Sequence, residues 1–413
     1  MRLRGSHLLA MLLLTGTVFT VGAVQKSPCA NRAWVEHREG GYAHCYSDVT
    51  DLYEWEQLAG GRLPYLDACR PSPHPCDEYP VVSMYVMRAA AWVGGNHPDD
   101  FAGFYWTNVV LLGMCALATV WCLERLGART ILFAAAPTLL VYGAMNWDLI
   151  AVVLATVATY LFLRGRRTGA GVGLGLGTAA KVYPVLLLLP FAADDAGRKD
   201  LRGTIRMVAW FAVTWLVVNV PFAIAGGRSW TKTFRFNALR PPEPDTLWRA
   251  VTFDHWSMGT LWINILSFAI PLGATLLIWR VKERREPGFP RWTLAFPLLA
   301  TFLLANKIWS PQYSLWLLPW FALTATSTIP FVAYQLAELL VFFERFEYFA
   351  QVNSHGSGDY RAFAVAVLLR AALLLWCVVV WVRRPTPGLT PAPEAGVPTG
   401  AVRPAEPSSL ATG

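Results

Sequence analysis

Long apolar runs separated by short basic loops fill most of this 413-residue chain. The first run, LLAMLLLTGTVFTVGAV, follows the basic start MRLRGSH. It reads as a first transmembrane helix, with a cleaved signal peptide as the alternative; no A-x-A site follows, which favours the helix. Both readings export residues 25–80. Further spans are expected at 101–124, 129–145, 148–163, 205–225, 258–280, 292–306, 312–325, 328–343 and 361–382, with a short pair at 168–180 and 182–192. In the pair, Gly171, Gly173, Gly175 and Gly177 followed by Pro184 suggest a broken hairpin buried among other helices.

The stretch VVSMYVMRAAAWVGG carries Arg88 and is short for a span, so it is expected to lie in the outer interface. The basic loops 124–129, 164–167, 198–206 and 282–291 and the pair Arg383-Arg384 then share one side, which the positive-inside rule makes cytoplasmic. The expected fold is an all-α polytopic bundle of about twelve transmembrane helices with both termini inside. Residues 1–384 form one membrane domain, whose 25–100 segment is an extracytoplasmic loop with interfacial helices. Residues 385–413, rich in Pro, Ala, Gly and Thr, read as a disordered cytoplasmic tail.

Composition agrees: 55% of residues are hydrophobic and 15% charged, too apolar for an ordinary soluble protein. The net charge of +8 resides in short loops between apolar runs, so membrane orientation explains it and nucleic acid is not an expected partner. Of seven cysteines, Cys115, Cys122 and Cys377 lie in apolar runs. Cys29, Cys45, Cys69 and Cys76 share the exported segment, which points to two disulfides with the pairing open among three possibilities.

With these helices placed, the polar motifs gather on the outer side. Residues 46–80 form the longest polar run between apolar segments, with Asp48, Asp51, Asp67, Asp77 and Glu78 among aromatics. Asp48 and Asp51 are three apart and share a helix face. Either could serve as a general base; the alternative is helix capping. Asn146-Trp147-Asp148 falls at an outer helix end, as a cap or a site element. Lys181 and Lys307 adjoin Tyr-Pro and Trp-Ser-Pro breaks, where a cation can hold a phosphate or simply snorkel. Arg235 and Arg240 in the loop 228–257 strengthen the phosphate reading. Glu338 and Arg370 lie inside expected spans and are expected to pair. No Cys/His cluster has zinc spacing, and no metal or cofactor is expected.

Several of these motifs have a familiar order. Cys45-Tyr46-Ser47-Asp48-Val49 with Tyr53, Gly61-Arg62-Leu63-Pro64-Tyr65-Leu66-Asp67 and Glu78-Tyr79-Pro80 resemble the first external loop of actinobacterial family 87 glycosyltransferases. Met145-Asn146-Trp147-Asp148, the run from Gly177 to Pro184 and the run from Asn306 to Tyr313 resemble later segments of the same family. These enzymes are polyprenol-phosphate-mannose-dependent mannosyltransferases of the GT-C superfamily.

The resemblance implies a GT-C-like bundle with a catalytic first extracytoplasmic loop in the plasma membrane. It implies an inverting transfer of a hexose, mannose in this family, from a polyprenyl-phosphate-sugar to a cell-envelope lipid or glycan. Position in the Ser-Asp-Val element maps the general base onto Asp48. Lys181, Tyr183, Lys307, Gln312, Tyr313, Glu78, Tyr79, Asn146, Asp148 and Arg240 are the expected substrate-binding residues. The chain departs from the pattern at the insert 68–77 and in the loop 228–257, both on the acceptor side. Two other classes stay open: a transporter or flippase of a lipid-linked sugar, and a non-catalytic envelope-assembly scaffold. No internal repeat points to the first. The second predicts no donor turnover in reconstituted vesicles.

Overall fold

The computed structural model describes residues 2–37, 44–72, 74, 76–255, 257–325 and 327–389. Residues 390–413, most of the expected tail, lie outside the described residues. All regular structure among the described residues is helical.

Five helices are long and apolar enough to cross a membrane: Gly5–Cys29, Phe101–Leu126, Leu201–Gly226, Thr260–Arg285 and Tyr360–Arg383. Thr328–His355 is as long but carries more charge. The other expected spans are assembled from shorter pieces. Residues 129–145 form Ile131–Ala134 and Pro137–Tyr142, interrupted where Pro137 withholds an N–H. Residues 312–325 form the 3-10 segment Pro311–Leu317 and the helix Leu318–Thr324. Hydropathy locates such spans, but their breaks leave no mark on the apolar average.

The expected hairpin at 168–192 is present, and it breaks at Lys181, between the two expected segments. The helix Arg167–Ala180 runs unbroken through its glycines. The chain turns at Lys181, which is extended, and returns through Tyr183–Leu187 and Leu188–Gly197. The Arg167–Asp195 ion pair closes the two far ends together. The glycines allow close approach: a Cβ on Gly171 would lie 2.2 Å from the Met207 carbonyl oxygen, and one on Gly173 3.0 Å from the Ala158 Cβ. Small residues at such spacing let helix backbones touch.

Contacts sort the chain into two ends. At one, His7 meets Glu124, Arg164 donates to the Arg125 carbonyl, and Lys282 donates to the carbonyls of Trp381 and Arg384. The start of the first helix, the end of the last helix and these basic loops therefore mark this end. At the other end, Ser47 contacts Ala144, Ser83 contacts Ala180, and Lys307 contacts Arg240. The polar motifs gather here. The helix Val81–Gly94 covers this end and packs on Phe101–Leu126, with Gly94 against Gly103.

Candidate active site

The four cysteines of the first polar loop form two disulfides, Cys29–Cys45 and Cys69–Cys76. The first ties the end of the opening helix to the segment that carries Tyr46, Ser47 and Asp48. Ser47 caps the helix Asp48–Trp55: its Oγ accepts from the Val49 N–H at 3.2 Å and donates to the Ala144 carbonyl at 2.8 Å. One serine thus starts the helix and docks it beside Asn146.

Asp48 is half-buried at that start. Its Oδ1 accepts from the Tyr46 hydroxyl at 2.5 Å. Its Oδ2 accepts from Asn146 Nδ2 at 2.5 Å and from Gln312 Nε2 at 3.4 Å. Burial and the Asp48 charge push the Tyr46 phenol far up, so it stays a neutral donor. Asp51, one turn on, is fully buried and electrostatically close to Tyr46.

Asn146 links Asp48 to the rest of the pocket. Its Nδ2 also donates to the Tyr79 hydroxyl at 2.6 Å, and its Oδ1 accepts from the Trp147 N–H at 2.6 Å. The next acid, Asp148, is fully buried and accepts from Trp316 Nε1 at 2.7 Å. Lys181 Nζ lies 3.3 Å from Asp148 and faces two rings, Tyr79 at 5.0 Å and Tyr313 at 4.9 Å. Tyr183 stacks on Trp316 at 4.3 Å, and Trp316 on Tyr313 at 4.0 Å. These aromatics form one wall.

A basic group lies beside these aromatics. The Arg240 guanidinium lies over Phe236, pairs with Glu243, and acts electrostatically on Tyr313, Tyr79 and Glu78. Lys307 is buried, and its ammonium donates to the carbonyls of Ala238 and Arg240 at 2.9 and 2.8 Å. Burial, then Arg240, lowers its pKa to about 8. Lys307 therefore fixes the backbone that carries Arg240, and Arg240 supplies the guanidinium nearer the pocket. Arg235, on the helix Arg228–Leu239, is exposed.

Glu78 is electrostatically close to both Arg240 and Asp48. Its backbone N–H donates to Glu56 Oε1 at 3.0 Å, and the neighbouring Asp77 N–H donates to Glu56 Oε2 at 2.5 Å. Burial pushes the Glu78 carboxyl up to about 7, against the pull of Arg240 and with a push from Asp48. The insert 68–77 supports this segment from outside: Asp77 accepts from Arg62 and from the Tyr65 N–H, both at 3.0 Å.

The fold thus brings Asp48, Glu78, Tyr79, Asn146, Asp148, Lys181, Gln312, Tyr313 and Arg240 into one cluster. Tyr183 and Lys307 reach it through Trp316 and Arg240 respectively. Two neighbours escaped the sequence reading. Lys26 is fully buried at the end of the first helix, over Phe342 at 5.2 Å and electrostatically coupled to Asp48. Arg345 pairs with Asp245 at 3.2 Å and acts on Tyr46 and Asp48. The available signals were a lysine closing an apolar run and one arginine in the aromatic run Phe342-Phe343-Glu344-Arg345-Phe346.

Glu338 and Arg370 are both fully buried and lie 3.7 Å apart. Arg370 also donates to the Asp245 carbonyl and lies over Trp309 at 3.7 Å. The expected pair is thus part of a larger latch on the segment that carries Arg240.

The model of glycosyltransferase family 87 matches residues 78–306. Two crystal structures of ArnT from Cupriavidus metallidurans are similar to the chain. For the one bound to undecaprenyl phosphate, identity is 14% and the TM-score 0.44, over 90% of this chain and 76% of that chain. For the apo state, the TM-score is 0.45 at the same identity and coverage. No protein of curated function matches.

Proposed function

The chain belongs to glycosyltransferase family 87, matched over more than half its length, and from that premise we propose that it is a GT-C-type, polyprenyl-phosphate-sugar-dependent hexosyltransferase of the plasma membrane. The sugar is mannose and the acceptor a cell-envelope lipid or glycan. Transfer takes place on the extracytoplasmic side and inverts the anomeric centre. The observation that carries this reading is the Asp48 carboxylate. It accepts from the neutral donors Tyr46 and Asn146 at 2.5 Å, in a cluster that also holds Lys181 and Arg240.

In this mechanism Asp48 takes the proton of the acceptor hydroxyl as its oxygen attacks the anomeric carbon. The bond from that carbon to the phosphate oxygen breaks, and the electron pair leaves with the phosphate. Such a leaving group needs no acid, so one carboxylate serves where glycosidases use two. Charge grows on the phosphate in the transition state, where Arg240 and Lys181 stabilise it more than in the bound donor. Tyr46, Asn146 and Gln312 aim the base.

The test is transfer by the purified protein in vesicles, given radiolabelled polyprenyl-phosphate-mannose and an envelope lipid extract. The expected outcome is a labelled lipid or glycan whose new linkage has the opposite anomeric configuration to the donor. Donor carried across the bilayer without a labelled product would identify a flippase instead.

A further inference from the structure

Glu243 stands in the run Pro241-Pro242-Glu243-Pro244-Asp245. Its Oε1 accepts from the Arg240 guanidinium, and its Oε2 accepts from Ser310 Oγ at 2.8 Å. Its backbone N–H donates to the Lys307 carbonyl at 2.9 Å. Lys307 in turn clamps the Ala238 and Arg240 carbonyls, and Arg345 is a further cation acting on Glu243. One carboxylate is therefore held by Arg240 and a serine hydroxyl, within electrostatic reach of Arg345 and Tyr313. A guanidinium fork with a hydroxyl is also a donor set that suits a phosphate.

We propose that this constellation is an anion seat filled in the resting protein by the chain's own Glu243, and that the phosphate of the lipid-linked donor displaces it. The inference rests on the reading of the donor as a polyprenyl-phosphate-sugar. The side chains of Arg240 and Glu243 are 26% and 16% exposed, so their contact is not sealed in the core. A partly solvated i,i+3 pair is weak, and a phosphate offers Arg240 more acceptor oxygens. Apparent donor affinity is then the intrinsic affinity multiplied by the fraction of molecules with the seat open. The same competition helps release the polyprenyl phosphate product, because the returning carboxylate reclaims Arg240.

The experiment measures polyprenyl phosphate binding to the full-length protein in nanodiscs, with melting temperature recorded for each variant. Glu243→Gln removes the competing charge and keeps the shape; it should bind about ten-fold tighter than wild type. Glu243→Asp keeps the charge but shortens the reach, and should tighten binding by a smaller factor. Arg240→Gln should weaken binding by about ten-fold or more. Unchanged or weaker binding by folded Glu243→Gln or Glu243→Asp overturns the seat and leaves the transferase reading intact. If both Glu243 variants fail to fold, the carboxylate is structural and the seat is again overturned. If folded wild type and variants all fail to bind polyprenyl phosphate, the donor reading itself falls.

Discussion

Both ends of the bundle hold buried charge, and they satisfy it differently. At the basic-loop end, carboxylates sit in the grip of cations. Arg167 holds Asp195, Arg198 holds Asp194 at 2.8 Å, and Lys282 holds Glu286 at 2.7 Å. The first joins two helices, and the other two fasten the last turn of their own helix. At the other end, the donors on Asp48 are a phenol and two amides. Protonating a carboxylate locked against an arginine strands the arginine, so such a group is a poor base. A carboxylate aimed by neutral donors can take a proton without that penalty. The site end has clamps of its own in Asp148–Lys181 and Asp245–Arg345, and the neutral donors on Asp48 set it apart from both.

Asp48→Asn is the sharpest break of this contrast. It keeps the shape and leaves the Ser47 cap in place, but removes the proton-accepting charge. Transfer should fall by roughly two to four powers of ten, with melting temperature and donor binding near wild type. Asp51→Asn should cost transfer far less; if it is the dead variant, the base is misassigned.

The second test concerns the latch beneath the pocket. Glu338→Gln or Arg370→Met should each destabilise by about 3 kcal/mol, since each strands a buried partner. The double variant should recover part of that loss in thermal melts. Strictly additive losses would show that the two groups, 3.7 Å apart, are not coupled.

Lys181→Ala comes next. It removes a cation beside the aromatic wall and should weaken donor binding by about ten-fold, the size of one charge-assisted contact. Equal donor affinity in direct binding would reduce Lys181 to a partner of Asp148.

The smallest effect is a pH slope. Burial raises the Glu56 carboxyl from 4.5 to about 8, against the backbone donors of Glu78 and Asp77. The folded protein therefore keeps a proton that the unfolded chain has released, and stability falls as pH rises between those two values. Glu56→Gln should flatten the dependence of melting temperature on pH over this window. An unchanged slope would place the titration elsewhere.

Much of this was legible from the chain alone. Apolar run length located the membrane helices because span length is fixed by the bilayer. The Ser47-Asp48 pair marked a helix start, and four cysteines in one polar segment marked two crosslinks. An arginine and a glutamate inside apolar runs announced a pair, since neither can be buried alone. These signals are local, or follow from the solvent.

Only the tertiary structure decided which partners those groups take. Asp48 meets residues 98 and 264 positions away, and no periodicity encodes such distances. Lys181 and Lys307 look alike as lysines beside helix breaks. Folding puts one against Asp148 and two rings, and turns the other onto the carbonyls that carry Arg240. Cys29 had three possible partners until the first helix ended beside Cys45. Hydropathy and capping are set within a few residues of chain. Whether a charge becomes a clamp, a base or a phosphate ligand depends on which donors the packed helices bring within hydrogen-bond reach.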